Sequence, residues 1–230
     1  MSDLATLTAH SHPAFFGRLS AIGTTAPTRI WARGDLSLLD QLDQTVNIDG
    51  SRASTAYGTQ ITAEFVADLA RDYVTMTGTA YGINAAAARA ALAQGDRLII
   101  WQASGHGRPY PEAHRQLIDT IEAAPNTLLL TAVEPGAAPT RFRFIERSRL
   151  AALAAGTTLI TEAGARSGAL LGARIAHAAG RNVAAIPGPI TSAASVAGAA
   201  YRATGVARPR MTSPPCHSAG HRPCRPCRLR

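Results

Sequence analysis

Asp49-Gly50-Ser51-Arg52 closes a short β-branched run just before a helical stretch, and two later joints are built alike. Thr77-Gly78-Thr79-Ala80-Tyr81-Gly82 follows a second such run, and Glu162-Ala163-Gly164-Ala165-Arg166-Ser167-Gly168 a third. These residue types suit anion chemistry. Glycine lets the backbone approach an anion, a helix starting next supplies unpaired N–H groups and a positive dipole end, and Arg52 or Arg166 adds a full charge. Gly and Ser also serve any strand-to-helix turn, so the signal lies in three joints that would share one pocket.

The elements around these joints place them. From Gln44 onward, short β-branched or aliphatic runs alternate with alanine-rich helical segments. The pattern predicts strands at Thr45–Ile48, Tyr73–Met76, Arg97–Trp101, Thr127–Thr131, Thr157–Thr161 and Asn182–Ile186. It predicts helices at Tyr57–Arg71, Asn84–Gln94, Glu112–Ala123, Arg147–Ala155 and Gly168–Ala179. In the first, Ile61, Phe65, Val66 and Leu69 recur at helical spacing and form one apolar stripe. Regular strand–helix alternation implies an α/β fold, a Rossmann-like parallel sheet with helices on both faces. Ligands collect at the carboxyl ends of such strands, where all three joints fall.

Length and composition bound the rest. The chain has 230 residues, 46% of them hydrophobic, enough for one good core. Residues 1–43 read as a lead-in packing on that core, 44–207 as the Rossmann-like domain and 208–230 as a basic Pro/Arg/Cys tail, expected to be disordered. The polar N-terminus lacks the order of a signal peptide and no apolar run nears the ~20 residues of a membrane span, so the expected compartment is the cytoplasm, without membrane attachment. All three cysteines, Cys216, Cys224 and Cys227, lie in the tail, which leaves the body without a disulfide framework. With His217 and His221 they offer zinc-type ligands, but without the spacer that folds a metal module, and no metal is expected.

The net charge of +8 suggests an anionic partner, nucleic acid being the commonest. Arg208–Arg230 is arginine-rich and acid-free, so the body is nearly neutral and an anion site there must be a local cluster. There is no lysine, hence no G-x-x-x-x-G-K-[ST] loop, and no strand runs into G-x-G-x-x-G with an acid about 20 residues on. ATPase and NAD-dehydrogenase readings fall away. Near the sheet edge the acids are Asp49, Glu134, Glu146 and Glu162; a hydrolase needs one of shifted pKa beside a water or nucleophile. Glu162 reads as a loop organiser, and His106 and His114 as surface or loop residues. No catalytic residue and no cofactor is expected.

Taken in order, the segments resemble the DNA-processing protein A family (DprA, also called Smf). Arg29-Ile30-Trp31-Ala32-Arg33-Gly34-Asp35-Leu36 is similar to the family's lead-in, Asp49-Gly50-Ser51-Arg52 to its V-G-S-R, and Thr77-Gly78-Thr79-Ala80-Tyr81-Gly82-Ile83-Asn84 to S-G-x-A-R-G-I-D. Tyr110-Pro111-x-x-His114-x-x-Leu117 resembles Y-P-x-x-N-x-x-L, and Arg147-Ser148-Arg149-Leu150 resembles R-N-R-I. Thr161-Glu162-Ala163, Arg166-Ser167-Gly168-Ala169-Leu170 and Val183-Ala184-Ala185-Ile186-Pro187-Gly188 look like V-E-A, R-S-G-A-L and V-F-A-V-P-G. The likeness runs from about Pro13 to Gly205. Departures are Asp49 for an apolar residue, Tyr81 for arginine, Asn84 for aspartate and Ser148 for asparagine. The family's C-terminal winged-helix domain is expected to be missing.

The resemblance implies an extended Rossmann-like domain that binds single-stranded DNA without sequence preference, forms a homodimer and loads a RecA-type recombinase during DNA uptake. It implies that Gly50, Ser51, Arg52, Gly78, Tyr81, Gly82, Arg147, Arg149, Arg166, Ser167 and Gly168 cradle the phosphates. Tyr57, Tyr81 and Tyr110 either stack bases or are core tyrosines with wet hydroxyls. The alternative on the same superfamily fold is a nucleotide-binding sensor or nucleotide N-glycosidase, although the P-G-G-x-G-T-x-x-E signature of the phosphoribohydrolases is missing.

Overall fold

Period-two alternation in the strands decides which side chains go to which face of the sheet. In Leu98–Trp101, Leu98 and Ile100 join one buried cluster while Ile99 and Trp101 join another, so the strand is covered on both sides. The computed structural model describes residues 3–21 and 26–188. Its strands are β1 (Ala5–Leu7), β2 (Ile30–Gly34), β3 (Thr45–Asp49), β4 (Val74–Gly78), β5 (Leu98–Trp101), β6 (Thr127–Thr131), β7 (Thr157–Ile160) and β8 (Asn182–Ala185). The helices are α1 (Pro13–Leu19), α2 (Ala56–Leu69), α3 (Ile83–Gln94), α4 (Arg115–Ala123), α5 (Arg141–Ala154) and α6 (Gly168–Ala178), with 3₁₀ segments at Leu36–Gln44 and Glu112–His114.

All eight strands form one sheet in the order β1-β2-β6-β5-β4-β3-β7-β8. From β3 to β8 every pairing is parallel, as expected from the alternation. The lead-in differs from expectation: β1 and β2 extend the sheet antiparallel beyond β6, making it mixed. Phe15, Phe16 and Leu19 of α1 and Ile30 of β2 are fully part of the core. Sequence reading passed over β2 because Arg33 interrupts the apolar run; its guanidinium reaches Glu122 at 3.0 Å. Among the described residues no helix is long and apolar enough to cross a membrane.

On one face α1, α5 and Leu38 and Leu42 of the first 3₁₀ segment cover Met76, Ile99, Trp101 and Leu128. On the other, α2, α3 and α4 cover Ile48, Ile100, Leu129 and Leu159. Chain order matters most for function. Strands β3 to β6 step outward in one direction, then α5 carries the chain back to β7 on the other side of β3. The reversal between β3 and β7 opens a crevice at their carboxyl ends.

Candidate functional site

Three loops meet at that crevice. The β3–α2 loop is pinned on both sides by backbone bonds: Ser51 N donates to the Glu162 carbonyl at 2.7 Å, and Ile83 N to the Ser51 carbonyl at 3.1 Å. Glycine is required for this closeness. A Cβ on Gly50 would lie 2.6 Å from the Glu162 carbonyl oxygen; one on Gly82, at φ +69°, would lie 2.2 Å from that of Ser51. Glu162 is the organiser the sequence suggested. Its buried carboxylate accepts from the Thr55 amide at 3.1 Å and the Thr55 hydroxyl at 2.8 Å, while Thr55 caps α2.

Together the loops and α5 enclose a cavity of about 640 Å³, lined by Gly50, Ser51, Arg52, Arg147, Arg166, Ser167 and Gly168 among others. Seven residues predicted from three separate stretches thus share one space. Ser167 caps α6, accepting from Ala169 N, so the positive end of that helix opens on the cavity. Arg52 and Arg166 are exposed and reach outward. The Arg52 guanidinium lies 4.8 Å from the ring centroid of Phe144, which packs in turn on Tyr110.

Arg147 is the unusual member. It is only 6% exposed, yet its guanidinium makes no hydrogen bond or ion pair among the described residues. Burial pushes its pKa below the ordinary arginine value; Asp49 counteracts this and Arg52 adds to it. Arginine nonetheless stays protonated, so the cavity wall carries a cation that has no hydrogen-bond partner among the described residues and is offset only by the nearby charge of Asp49. Gly78 serves this arginine, since a Cβ there would lie 2.1 Å from Nη1. The Asp49 carboxylate accepts on Oδ1 from Gly50 N at 2.8 Å and Asn84 Nδ2 at 3.1 Å.

Four predicted residues do not line this cavity: Gly78, Tyr81, Gly82 and Arg149. Gly78 and Gly82 lie behind it as close-packing positions. Tyr81 packs edge-on against His114, and Arg149 bonds Glu146 through Nε and Nη2 at 2.9 and 2.5 Å. Tyr57, 46% exposed, donates its hydroxyl to the Pro187 carbonyl. The histidines correct the sequence reading: both are buried, His114 bonded to the Thr79 carbonyl and His106 to that of Trp31, because these loops fold inward over the strand ends. Among the described residues no His, Cys, Asp and Glu group could hold a metal ion. The Cys216–Cys227 ligand set and the basic tail lie outside the described residues. Sequence reasoning missed Phe144, which stands three residues before Arg147 on α5 and would have shown itself had the helix been started at Arg141, after the Thr140 cap.

An α/β sheet, parallel from β3 to β8, with a cation-lined, glycine-lipped crevice at its switch point places the protein in the Rossmann-like class. The chain belongs to the family of DNA recombination-mediator protein A, whose model matches residues 5–213. It is 43% identical over 171 residues to a protein of Mycobacterium tuberculosis named as DNA processing protein DprA, covering 74% of this chain and 43% of that one. To DprA of Streptococcus pneumoniae it is 34% identical, covering 72% of this chain and 57% of the relative. The chain therefore spans about half the length of these relatives. The solved pneumococcal DprA superposes with a TM-score of 0.81 at 29% identity, covering 89% of this chain and 70% of the other. DprA of Helicobacter pylori, whose structure describes a single-stranded DNA binding mode, gives 0.75 at 25% identity, covering 88% and 91%. The family is one of DNA-processing proteins, and this chain has its fold.

Proposed function

We propose that the crevice between β3 and β7 seats consecutive phosphates of single-stranded DNA, bound without strict sequence preference. One observation carries the reading: a buried arginine, Arg147, faces the cavity with no hydrogen bond or ion pair among the described residues, only the nearby charge of Asp49. A buried cation whose donors are unmet is costly, and an anion in the cavity would offset that cost. Arg52 and Arg166 at the rim, the backbone of Gly168 and the α6 N-terminus add donors around it, and Gly50 leaves room for the strand at the lip. Arg149, Tyr81, Gly78 and Gly82 serve the same site from behind or beside the cavity. The protein acts as a binding protein rather than an enzyme: Glu162 is committed to Thr55, and Asp49 to Gly50 and Asn84. By family likeness it works in the cytoplasm as a homodimer, passing the bound strand to a RecA-type recombinase. The arginines of residues 208–230 add non-specific electrostatic affinity for the strand.

Fluorescence anisotropy of labelled oligo-dT across a salt series tests this with the full chain and its Arg52→Ala/Arg166→Ala variant. Both residues are exposed, so the variant folds, and the tail is common to both proteins. Binding that weakens with salt at a log-log slope of roughly −0.7 per phosphate, and falls in the variant, supports the reading. Equal affinity in the two proteins, or stabilisation by a mononucleotide with indifference to oligonucleotides, contradicts it and favours the nucleotide-sensor alternative.

A further inference from the structure

Arg147 also lines a second cavity, of about 410 Å³, that none of the other predicted site residues enters. We propose that this cavity seats a nucleobase bearing an exocyclic amine, from the strand whose phosphates fill the first cavity; the proposal rests on that phosphate reading. Val133, Ala132 and Leu150 give it apolar walls, and Phe142, 71% exposed, offers a ring. A flat, mostly apolar slot with a few fixed polar groups is what a base requires. Because one guanidinium borders both cavities, a phosphate and a nearby base of the same strand come within its reach.

The polar groups select the base. Gln102 is 4% exposed and its Oε1 has no hydrogen-bond partner, so a buried amide lines this space without being used by the fold. Glu134 is exposed, its carboxylate has no partner among the described residues, and it can only accept. Glu146 also lines the cavity, but its charge is already paired with Arg149, whereas that of Glu134 is not. The cavity is thus acceptor-rich on the Glu134 and Gln102 side and donor-only at the two arginines that line it, Arg147 and Arg143, the latter with Nη1 already given to the Ala138 carbonyl. Cytosine matches this polarity, with an amine for the acceptors and a ring nitrogen and carbonyl for the guanidinium; adenine and guanine also carry the amine. Thymine sets a carbonyl where cytosine has its amine, opposing oxygen to carboxylate. The outcome is a base preference superimposed on backbone affinity.

The test compares short labelled oligo-dC and oligo-dT, pyrimidines of equal ring size, at one salt concentration and a pH above neutrality. The full chain, Gln102→Leu and Glu134→Gln are measured side by side. Wild type binds oligo-dC roughly tenfold more tightly, the worth of one hydrogen bond to a charged group. Either substitution abolishes the oligo-dC preference while oligo-dT binding is retained or, for Glu134→Gln, strengthened, and retained oligo-dT binding also shows that the variants fold. Equal, salt-sensitive binding of both oligonucleotides by wild type overturns the base seat and leaves the phosphate site standing. A preference that survives both substitutions overturns it too, and failure of wild type to bind either one removes the phosphate reading along with it.

Discussion

Strands β3 and β7 have an arginine at each end, and the two are treated differently. At their amino ends Arg18 donates Nε to the Ala154 carbonyl at 2.9 Å and Nη1 to Asp43 at 2.5 Å, which pulls the Asp43 carboxyl below its ordinary value through that hydrogen bond and charge. At their carboxyl ends Arg147, more deeply buried, has no such partner among the described residues. Among the described residues, Arg18 is tied to the fold by a carbonyl and a carboxylate, although its Nη2 stays unpaired; Arg147 has no hydrogen bond and borders a cavity, and it is the one we propose for a ligand. The same contrast holds for the surroundings. Gly156 at the amino end lies against the Asp43 backbone, whereas Gly50, Gly78 and Gly82 at the carboxyl end give way to the pinned loop and to Arg147 itself.

The contrast breaks or sharpens with substitution at each end. Arg147→Met is expected to weaken oligo-dT binding by about a hundredfold, ~3 kcal/mol for removing a desolvated charged contact. It should melt close to the wild-type temperature, since the charge removed makes no hydrogen bond among the described residues and Asp49 keeps those from Gly50 and Asn84. Differential scanning calorimetry beside anisotropy reads both; a large loss of stability would put Arg147 with Arg18 as a structural residue. Gly82→Ala combines a left-handed φ with a clash against the Ser51 backbone, and should cost about 2–3 kcal/mol in urea unfolding while also weakening binding. Arg18→Met is the mirror of Arg147→Met: it should lose about 1–2 kcal/mol of stability and leave oligo-dT affinity alone.

The smallest effect concerns acid. Because the folded Asp43 value lies below the unfolded one, its pair with Arg18 stabilises the fold above the ordinary carboxylate range and is lost as pH falls through the lowered value. Asp43 is 86% exposed on its side chain, so solvent and salt screen most of this. Acid titration of the melting temperature should show a slightly shallower fall for Asp43→Asn, a difference that disappears in high salt.

Much of this was legible in the sequence because the signals were local. β-Branched runs and alanine-rich helices fixed β3 to β8 within a residue or two, as at Thr127–Thr131, and the Gly-Ser-Arg and Arg-Ser-Gly joints named most of the cavity. What stayed hidden depends on tertiary packing. β1 is three residues long and gains meaning only by pairing with β2; α5 begins at Arg141, six residues before its apolar run becomes regular. Arg52, Arg147, Arg149 and Arg166 look alike as letters. Only the fold shows that Arg149 turns to Glu146, that Arg52 rests on Phe144 and that Arg147 is buried against Gly78. Likewise His106 and His114 sit in loops by sequence but inside the molecule in space.

The most direct measurement is the oligo-dT affinity of the full chain and of Arg147→Met, at low and high salt. A phosphate seat at the β3–β7 crevice predicts a large loss in the variant and a log-log salt slope shallower by roughly 0.7, one phosphate contact fewer. Equal affinities with equal slopes would contradict it, and would move the DNA site elsewhere on the chain.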